Sequence, residues 1–151
     1  MSQVTQKQFE ALAGFRVALR RFLAFSDAAA AEAGITTQQY QVLLAIKAHA
    51  KSRITVGELA DELLLTSSAA VQLVDRVVKL GFVERQTAAN DRRSTQLVLT
   101  DSGEMLLHSL AARHLEQLGK RKKQISDLLA QLKRARSLGN SKKLQAHTSP
   151  R

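Results

Sequence analysis

The chain has 151 residues, which is enough for one domain with its own core and too few for two independent domains. Hydrophobic residues make up 44% of it and there is a single proline, so the composition favours helices. No stretch approaches the roughly 18 apolar residues of a membrane span, and the first ten residues do not resemble a secretory signal. The chain has no cysteine, which excludes disulfides and thiolate chemistry, and we expect a cytoplasmic protein.

The formal net charge of +10 is concentrated near the C-terminal end. Residues 113–151 hold eleven basic and two acidic residues, a balance of +9, whereas residues 1–112 hold twelve basic and eleven acidic ones. A polyanionic partner would fit this distribution. A solvated basic tail without a specific role would fit it equally well.

Residues 5–32 contain one glycine and no proline, and their apolar side chains recur at three- and four-residue steps, which predicts a long helix. These side chains are Phe9, Leu12, Phe15, Leu19, Phe22 and Leu23. Two interpretations stay open at this point. The apolar face packs into the domain's own core, or it also packs against a second subunit.

Three capping signals mark the next helices. Thr36 with Gln39 and Thr55 with Glu58 have the spacing of a capping box, in which each residue's side chain binds the other's backbone amide. Thr66 is a good N-cap for a further helix, because its hydroxyl can accept a hydrogen bond from an unpaired amide. Residues 55–79 are therefore predicted to form two short helices joined by a tight turn at Leu64 and Leu65.

The second of these helices is predicted to have two unlike faces. Its apolar side is expected to consist of Val71, Val74, Val77 and Val78. Its outer side is expected to consist of Ser67, Ser68, Gln72, Arg76 and Lys79. An outer face of small and polar residues favours recognition of something outside the chain, although a solvated surface would look the same.

A hairpin and two helices are predicted to follow. Residues 82–84 and 95–100 read as strands around a polar tip at residues 87–94. Residues 101–136 read as two amphipathic helices, with the KRKK run at residues 120–123 as a solvated linker. From residue 137 the periodicity is lost, which predicts a basic, disordered tail over residues 137–151.

These motifs together resemble the MarR family of bacterial transcription regulators. The resemblance rests on ITTQQYQVLLAI at residues 35–46, TVGELADELLLTSSAAVQLVDRVVKLGFVER at residues 55–85, and NDRRSTQLVLTDSGEMLL at residues 90–107. It implies a mainly α fold with a small β-hairpin wing, that is, a winged helix-turn-helix with N- and C-terminal dimerisation helices. The implied organisation is a single domain over residues 1–136, with a DNA-binding lobe at 55–100 and dimerisation helices at 5–32 and 101–136.

The resemblance also implies a homodimer that binds double-stranded DNA at a palindromic operator and acts as a ligand-responsive repressor. Within the outer face, Gln72 is the candidate for base readout, because an amide can pair bidentately with adenine. Arg76 and Lys79 are candidates for phosphate contacts. In the wing, the family pattern implies that Arg93 enters the minor groove, with Asp91 orienting the tip and Arg92 near the DNA backbone. Leu64 occupies a turn position that often holds glycine, so we expect a turn without a left-handed residue.

Other functions have less support in the sequence. No glycine-rich phosphate loop or catalytic triad spacing is present, so an enzyme and a cofactor are not expected. Glu104 and His108 are four residues apart, but alanine at position 112 leaves no third ligand in line, and no metal site is predicted. The family resemblance suggests a small aromatic or phenolic effector in a pocket near Phe22 and Tyr40. The alternative function is an architectural or nonspecific DNA-binding protein that uses the basic C-terminal region.

Overall fold

A computed structural model describes residues 4–88 and 91–145 of the chain, with the side chains of residues 88–94 and 137–145 excluded. The described chain is mostly helical with a small antiparallel sheet. Its elements in order are α1 (Gln6–Glu32), α2 (Thr37–Ala48), a 3-10 turn (Ala50–Ser52), β1 (Ile54–Thr55), α3 (Val56–Glu62), α4 (Ser67–Lys79), β2 (Val83–Ala88), β3 (Asp91–Leu99), α5 (Asp101–Lys120) and α6 (Lys122–Gln145). No helix of this described part is long and apolar enough to cross a membrane.

The chain forms two compact units, each described below by itself. The central unit comprises residues 26–114, and the terminal-helix unit comprises residues 1–25 and 115–151. The predicted DNA-binding lobe at residues 55–100 lies within the central unit. That unit also includes α2, which supplies much of its buried apolar surface, so it is larger than the predicted lobe. The predicted division into dimerisation helices and lobe stays a prediction.

The central unit packs its helices and sheet around one apolar core. The large, fully buried side chains are Leu43, Ile46, Ile54, Leu59, Leu97, Leu110, Val42, Val74, Val77 and Val83. They come from α2, α3, α4, α5 and all three strands, so each of these elements is held by burial of its apolar face. The helix-turn-helix therefore packs on a core to which α2 contributes three of these side chains, Val42, Leu43 and Ile46.

Both capping boxes are formed as the sequence predicts. The amide of Gln39 donates to the Thr36 hydroxyl over 3.2 Å, and the Thr36 amide donates to the Gln39 side chain over 3.0 Å. The amide of Glu58 donates to the Thr55 hydroxyl over 3.2 Å, and its carboxylate accepts from the Thr55 amide over 2.8 Å. These hydrogen bonds to the Thr55 amide and hydroxyl lower the pKa of Glu58.

The turn between α3 and α4 differs from the expectation. Leu64 has a φ of 54°, so a left-handed residue is present and the prediction of a turn without one was wrong. The Leu65 amide donates to the Ala60 carbonyl over 2.9 Å, and the Leu64 amide donates to the Asp61 carbonyl over 3.3 Å. This is the Schellman pattern, which satisfies the last carbonyls of a helix and needs a left-handed residue at this position. The demand for those bonds outweighs the steric cost of a leucine there.

The sheet has three strands in the order β1-β3-β2, all antiparallel. The sequence did not predict β1, whose two residues are too few for a periodic pattern; Ile54 pairs with Leu97 and Thr55 with Gln96. The predicted polar tip at residues 87–94 was also too long. Strand β2 extends to Ala88 and β3 begins at Asp91, with a register irregularity at Thr87 and Ala88. Backbone pairing does not require apolar side chains, so the strands continue past the apolar positions of the sequence pattern.

A cluster of hydrogen bonds fixes the base of the wing. The Thr100 hydroxyl donates to the Gly81 carbonyl over 2.6 Å, and the Ser102 hydroxyl donates to the same carbonyl over 3.0 Å. The Gly103 amide donates to the Thr100 hydroxyl over 3.1 Å. A Cβ atom on Gly103 would lie 2.1 Å from the Phe82 carbonyl oxygen, so only glycine allows this approach. The two motifs GFVER and LTDSG therefore interlock where α4 ends and α5 begins.

In the terminal-helix unit, the first part of α1 packs with α6. The Gln8 side chain donates to the Ala135 carbonyl over 2.7 Å, and a Cβ on Gly14 would lie 3.1 Å from the Leu128 side chain. Helix α6 extends to Gln145, so the helix does not end near residue 136, where the periodicity is lost. A started helix propagates through residues of adequate propensity without an apolar stripe. Only Arg121 separates α5 from α6, so the predicted linker at residues 120–123 is mostly helical.

Candidate nucleic-acid interface

The candidate interface begins at the first turn of α4. Thr66 is the N-cap, in extended conformation, and its hydroxyl accepts from the Ala69 amide over 3.2 Å. The Thr66 hydroxyl also lies 3.3 Å from the Ser68 hydroxyl. The predicted N-cap is thus confirmed. Ser67 and Ser68 are exposed, so the positive end of the helix dipole is covered only by small side chains.

Helix α4 has two clearly separated faces. Its buried residues are Ala70, Leu73, Val74 and Val77. All five side chains predicted for the outer face are exposed, namely Ser67, Ser68, Gln72, Arg76 and Lys79. Since residues four or seven apart share a side of a helix, Ser68, Gln72 and Lys79 follow one line along it. The described structure therefore brings these predicted residues to one solvent-facing surface.

Val71 is on a different face from the one predicted. The sequence grouped it with the apolar side, but its side chain is 43% exposed and Leu73 and Ala70 are buried instead. The centre of the buried stripe lies between Leu73 and Ala70, which turns position 71 towards the outer face. The interpretation of Val71 as a core residue was wrong.

An ion pair that the sequence analysis missed crosses from α4 to β2. The Arg85 guanidinium lies 2.5 Å from the Asp75 carboxylate, and the Asp75 side chain is 59% exposed. The Arg85 charge partly neutralises the Asp75 carboxylate. Asp75 therefore repels a polyanion less than an unpaired carboxylate on the outer face would. Positions 75 and 85 are separated by a helix end and a turn, so no local spacing rule indicated the pair.

The wing supplies the other predicted DNA contacts. Asp91, Arg92 and Arg93 lie in the first part of β3, and the Asp91 backbone is paired with Ala88. Their side chains lie outside the described residues, so their predicted roles in orienting the tip and in contacting DNA stay predictions.

The two residues predicted for an effector pocket lie in different units. Phe22, in the terminal-helix unit, lines an apolar cavity of about 170 Å³ together with residues of α1, α5 and α6. Tyr40, in the central unit, is buried and stacks on His114 with ring centroids 4.6 Å apart. Burial raises the pKa of the Tyr40 phenol. The effector pocket stays a prediction.

The two histidines of α5 have partners within the protein. The buried His114 ring lies 2.7 Å from the Leu110 carbonyl and 2.9 Å from the Ser26 hydroxyl, as expected of a satisfied packing residue. Glu104 pairs with Lys47 at 2.7 Å and lies 3.6 Å from His108. Among the residues that the structure describes, no group of three or more histidines and carboxylates could hold a metal ion.

Comparison with known proteins agrees with this geometry. The model of the MarR family matches residues 33–94. The HTH-type transcriptional regulator PecS of Dickeya dadantii (strain 3937) is 24% identical over 83 residues, which are 54% of this chain and 50% of PecS. The chain thus spans about half the length of this curated relative.

Solved structures share the fold. AbsC, a MarR family transcriptional regulator from Streptomyces coelicolor, superposes with a TM-score of 0.71 at 18% identity, over 97% of this chain and 100% of AbsC. MepR of S. aureus in complex with DNA gives a TM-score of 0.60 at 23% identity, over 78% and 97%. NadR in complex with 4-hydroxyphenylacetate gives 0.63 at 23% identity, over 80% and 89%.

A helix-turn-helix with a solvent-facing second helix, followed by a β-hairpin, defines a winged helix-turn-helix protein. The sequence match over residues 33–94 points to one family within this class. Over these residues the chain is similar to the MarR family, whose members are transcription regulators.

Proposed function

We propose that the chain is a sequence-specific DNA-binding regulator that acts as a homodimeric, ligand-responsive repressor on a palindromic operator. The observation that carries the proposal is the outer face of α4. Its small and polar side chains are exposed, while the opposite side of the same helix is buried in the central unit. A helix held in this way can enter a major groove without losing core contacts.

The residues of this face have distinct roles in the proposal. Ser67 and Ser68 are small, so the start of α4 can approach the DNA backbone and its free amides can bind a phosphate. Gln72 lies one turn further along the helix and pairs bidentately with an adenine. Arg76 and Lys79, in the last turns, bind phosphates and position the helix without reading sequence. Arg92 and Arg93 extend the contact through the wing, with Asp91 orienting its tip.

The homodimer is supported by the exposed apolar side chains of α1. These recur at three- and four-residue steps and are Phe9, Leu12, Phe15, Leu19 and Leu23. Leu115, Leu118 and Leu129 add exposed apolar surface in the same unit. An apolar surface of this extent is typical of a protein–protein interface. In the proposed homodimer, the two α4 helices bind successive major grooves, about 34–36 Å apart.

An effector is supported by the ligand bound to NadR, which is a phenolic acid. We propose that this chain likewise releases DNA when it binds a small aromatic molecule, with Phe22 and Tyr40 each a candidate contact. Such a ligand acts by favouring a spacing of the two α4 helices that does not fit the operator.

Sequence preference is the test of the main proposal. The purified chain is incubated with fragmented genomic DNA in competition with random DNA, and bound fragments are sequenced. A regulator prefers one site over random DNA by about three orders of magnitude or more. Binding without any preferred site would refute the proposal and would favour the nonspecific DNA-binding alternative. That alternative draws on exposed cations among the described side chains of α6, namely Lys122, Lys123, Lys133, Arg134 and Arg136.

Two variants separate base readout from backbone contact. Gln72→Ala is expected to weaken binding to the operator by about ten- to hundredfold and to relax selection at one base pair in each half-site. Lys79→Ala is expected to weaken binding to operator and random DNA alike and to reduce the salt dependence. Measuring both Kd values at several salt concentrations checks this. Equal losses on all sequences for Gln72→Ala would contradict its role in readout.

Two further variants test the dimer. Leu19→Asp places a charge within the exposed apolar stripe of α1, whereas Ala24→Asp places the same charge on another exposed part of that helix. Sedimentation equilibrium at micromolar concentration is expected to show dimers for the parent chain and Ala24→Asp, and monomers for Leu19→Asp. A monomeric parent chain would argue against the proposed assembly.

A further inference from the structure

Val71 is the one valine of α4 that points strongly into solvent. It is 43% exposed, whereas Val74 and Val77 are completely buried. It lies on the outer face, one turn after Ser67 and directly before Gln72. Its isopropyl group therefore belongs to the surface that the proposed function places in the major groove.

A valine at this position contributes little to the stability of the folded chain. A β-branched side chain lowers helix propensity, and alanine would suit an exposed helical site better. Burial in the central unit offsets this cost for Val74 and Val77 but only partly for Val71. The remaining exposed surface is apolar, and the residues one turn before it are the small, exposed Ser67 and Ser68, which leave room on that side for a partner to approach closely.

Major-groove chemistry offers one apolar group on the edges of the bases, the C5-methyl of thymine. We propose that Val71 reads this methyl group, so that each half-site contains a thymine that the protein selects by apolar contact. This inference rests on the proposed function and adds a second specificity-determining residue beside Gln72. Its methyl groups contact the thymine methyl at the base next to the one that Gln72 reads.

Replacing thymine with deoxyuridine tests this contact directly, because it removes the methyl group and leaves every hydrogen-bonding group in place. Each thymine of the selected operator is replaced in turn, symmetrically in both half-sites. The parent chain is expected to bind one such operator about 10- to 25-fold more weakly, which corresponds to a three- to fivefold loss for each of the two lost methyl contacts. The Kd is measured by fluorescence anisotropy at fixed salt.

Val71→Ala is the matching protein change. It is expected to weaken binding to the thymine operator by about tenfold and to be insensitive to deoxyuridine at that one position. Lys79→Ala is the control, because it weakens all binding yet keeps the full effect of the missing methyl. Circular dichroism is expected to show unchanged helix content for Val71→Ala, because alanine is a better helix former.

The outcomes distinguish this inference from the proposal on which it rests. If no site is preferred over random DNA, both fail. If a preferred operator exists but no thymine methyl affects binding, or if Val71→Ala keeps the same methyl effect as the parent chain, only the role of Val71 fails. A loss for Val71→Ala that is equal on every sequence would assign the residue to the DNA backbone and would also overturn the inference.

Discussion

Replacing Leu64 with glycine tests the physical account of the helix-turn-helix turn. Leu64 combines a φ of 54° with 93% exposure, so its side chain contributes almost no burial while its Cβ is strained by the left-handed backbone. A left-handed conformation costs a residue with a Cβ about 1–2 kcal/mol. Glycine removes this cost, but it loses more backbone entropy on folding, which costs about 0.5–1 kcal/mol.

The net expectation for Leu64→Gly is a stabilisation of about 0.5–1 kcal/mol, the difference between these two contributions. Urea unfolding followed by circular dichroism measures it, with protomer concentration held fixed because the proposed dimer makes apparent stability depend on concentration. Affinity for DNA is expected to change little, since the backbone of the turn is unchanged.

Two controls isolate the left-handed backbone as the cause. Leu64→Ala removes the exposed side chain but keeps the Cβ, and is expected to change stability by less than about 0.5 kcal/mol. Leu80→Gly introduces glycine at the right-handed C-cap of α4, where φ is −73°, and is expected to destabilise by about 1 kcal/mol. The reasoning is refuted if Leu64→Gly destabilises the protein as much as Leu80→Gly does.

Three further predictions concern stability. Gly103→Ala is expected to destabilise the chain by more than about 3 kcal/mol, because its Cβ would meet the Phe82 carbonyl oxygen; thermal unfolding checks this. Because helix-capping hydrogen bonds lower the pKa of Glu58, part of the stability is expected to be lost as the pH falls below 4.5; the urea midpoint of Glu58→Gln should vary less with pH there. A double-mutant cycle of Asp75→Asn and Arg85→Gln is expected to give a coupling energy of about 0.5–1 kcal/mol in unfolding experiments.

Each has an outcome that would contradict it. A Gly103→Ala protein of parental stability would mean that α5 can shift away from Phe82 at little cost. Equal pH dependence for the parent chain and Glu58→Gln would assign the acid sensitivity to other carboxylates. Strictly additive effects of the two single variants would show that the Asp75–Arg85 contact is not energetically coupled.

The starts of α2, α3 and α4 were predictable because their causes are local. Thr36, Thr55 and Thr66 each cap a helix through an amide three residues further along the chain. A hydrogen bond over three residues depends on neighbouring side chains and hardly on the rest of the fold. The predicted polar positions of α4 were likewise correct, since helical periodicity alone places Ser68, Gln72 and Lys79 together.

Contacts between distant segments were not predictable in this way. The two residues of β1 become a strand only because Leu97 and Gln96 of β3 lie beside them. The left-handed conformation of Leu64 follows from the need to satisfy the final carbonyls of α3 while α4 packs at a fixed angle. The ion pair of Asp75 with Arg85 depends on how the wing leaves the end of α4.

The sequence by itself therefore determined the class of protein, the order of its elements and most of the outer face of α4. These follow from periodicity, capping and motifs, all of which act over a few residues. Only the tertiary structure decided which way Val71 faces, because the rotation of α4 is set by the core against which Ala70 and Leu73 pack. That packing turned a side chain predicted for the core into a candidate reader of DNA.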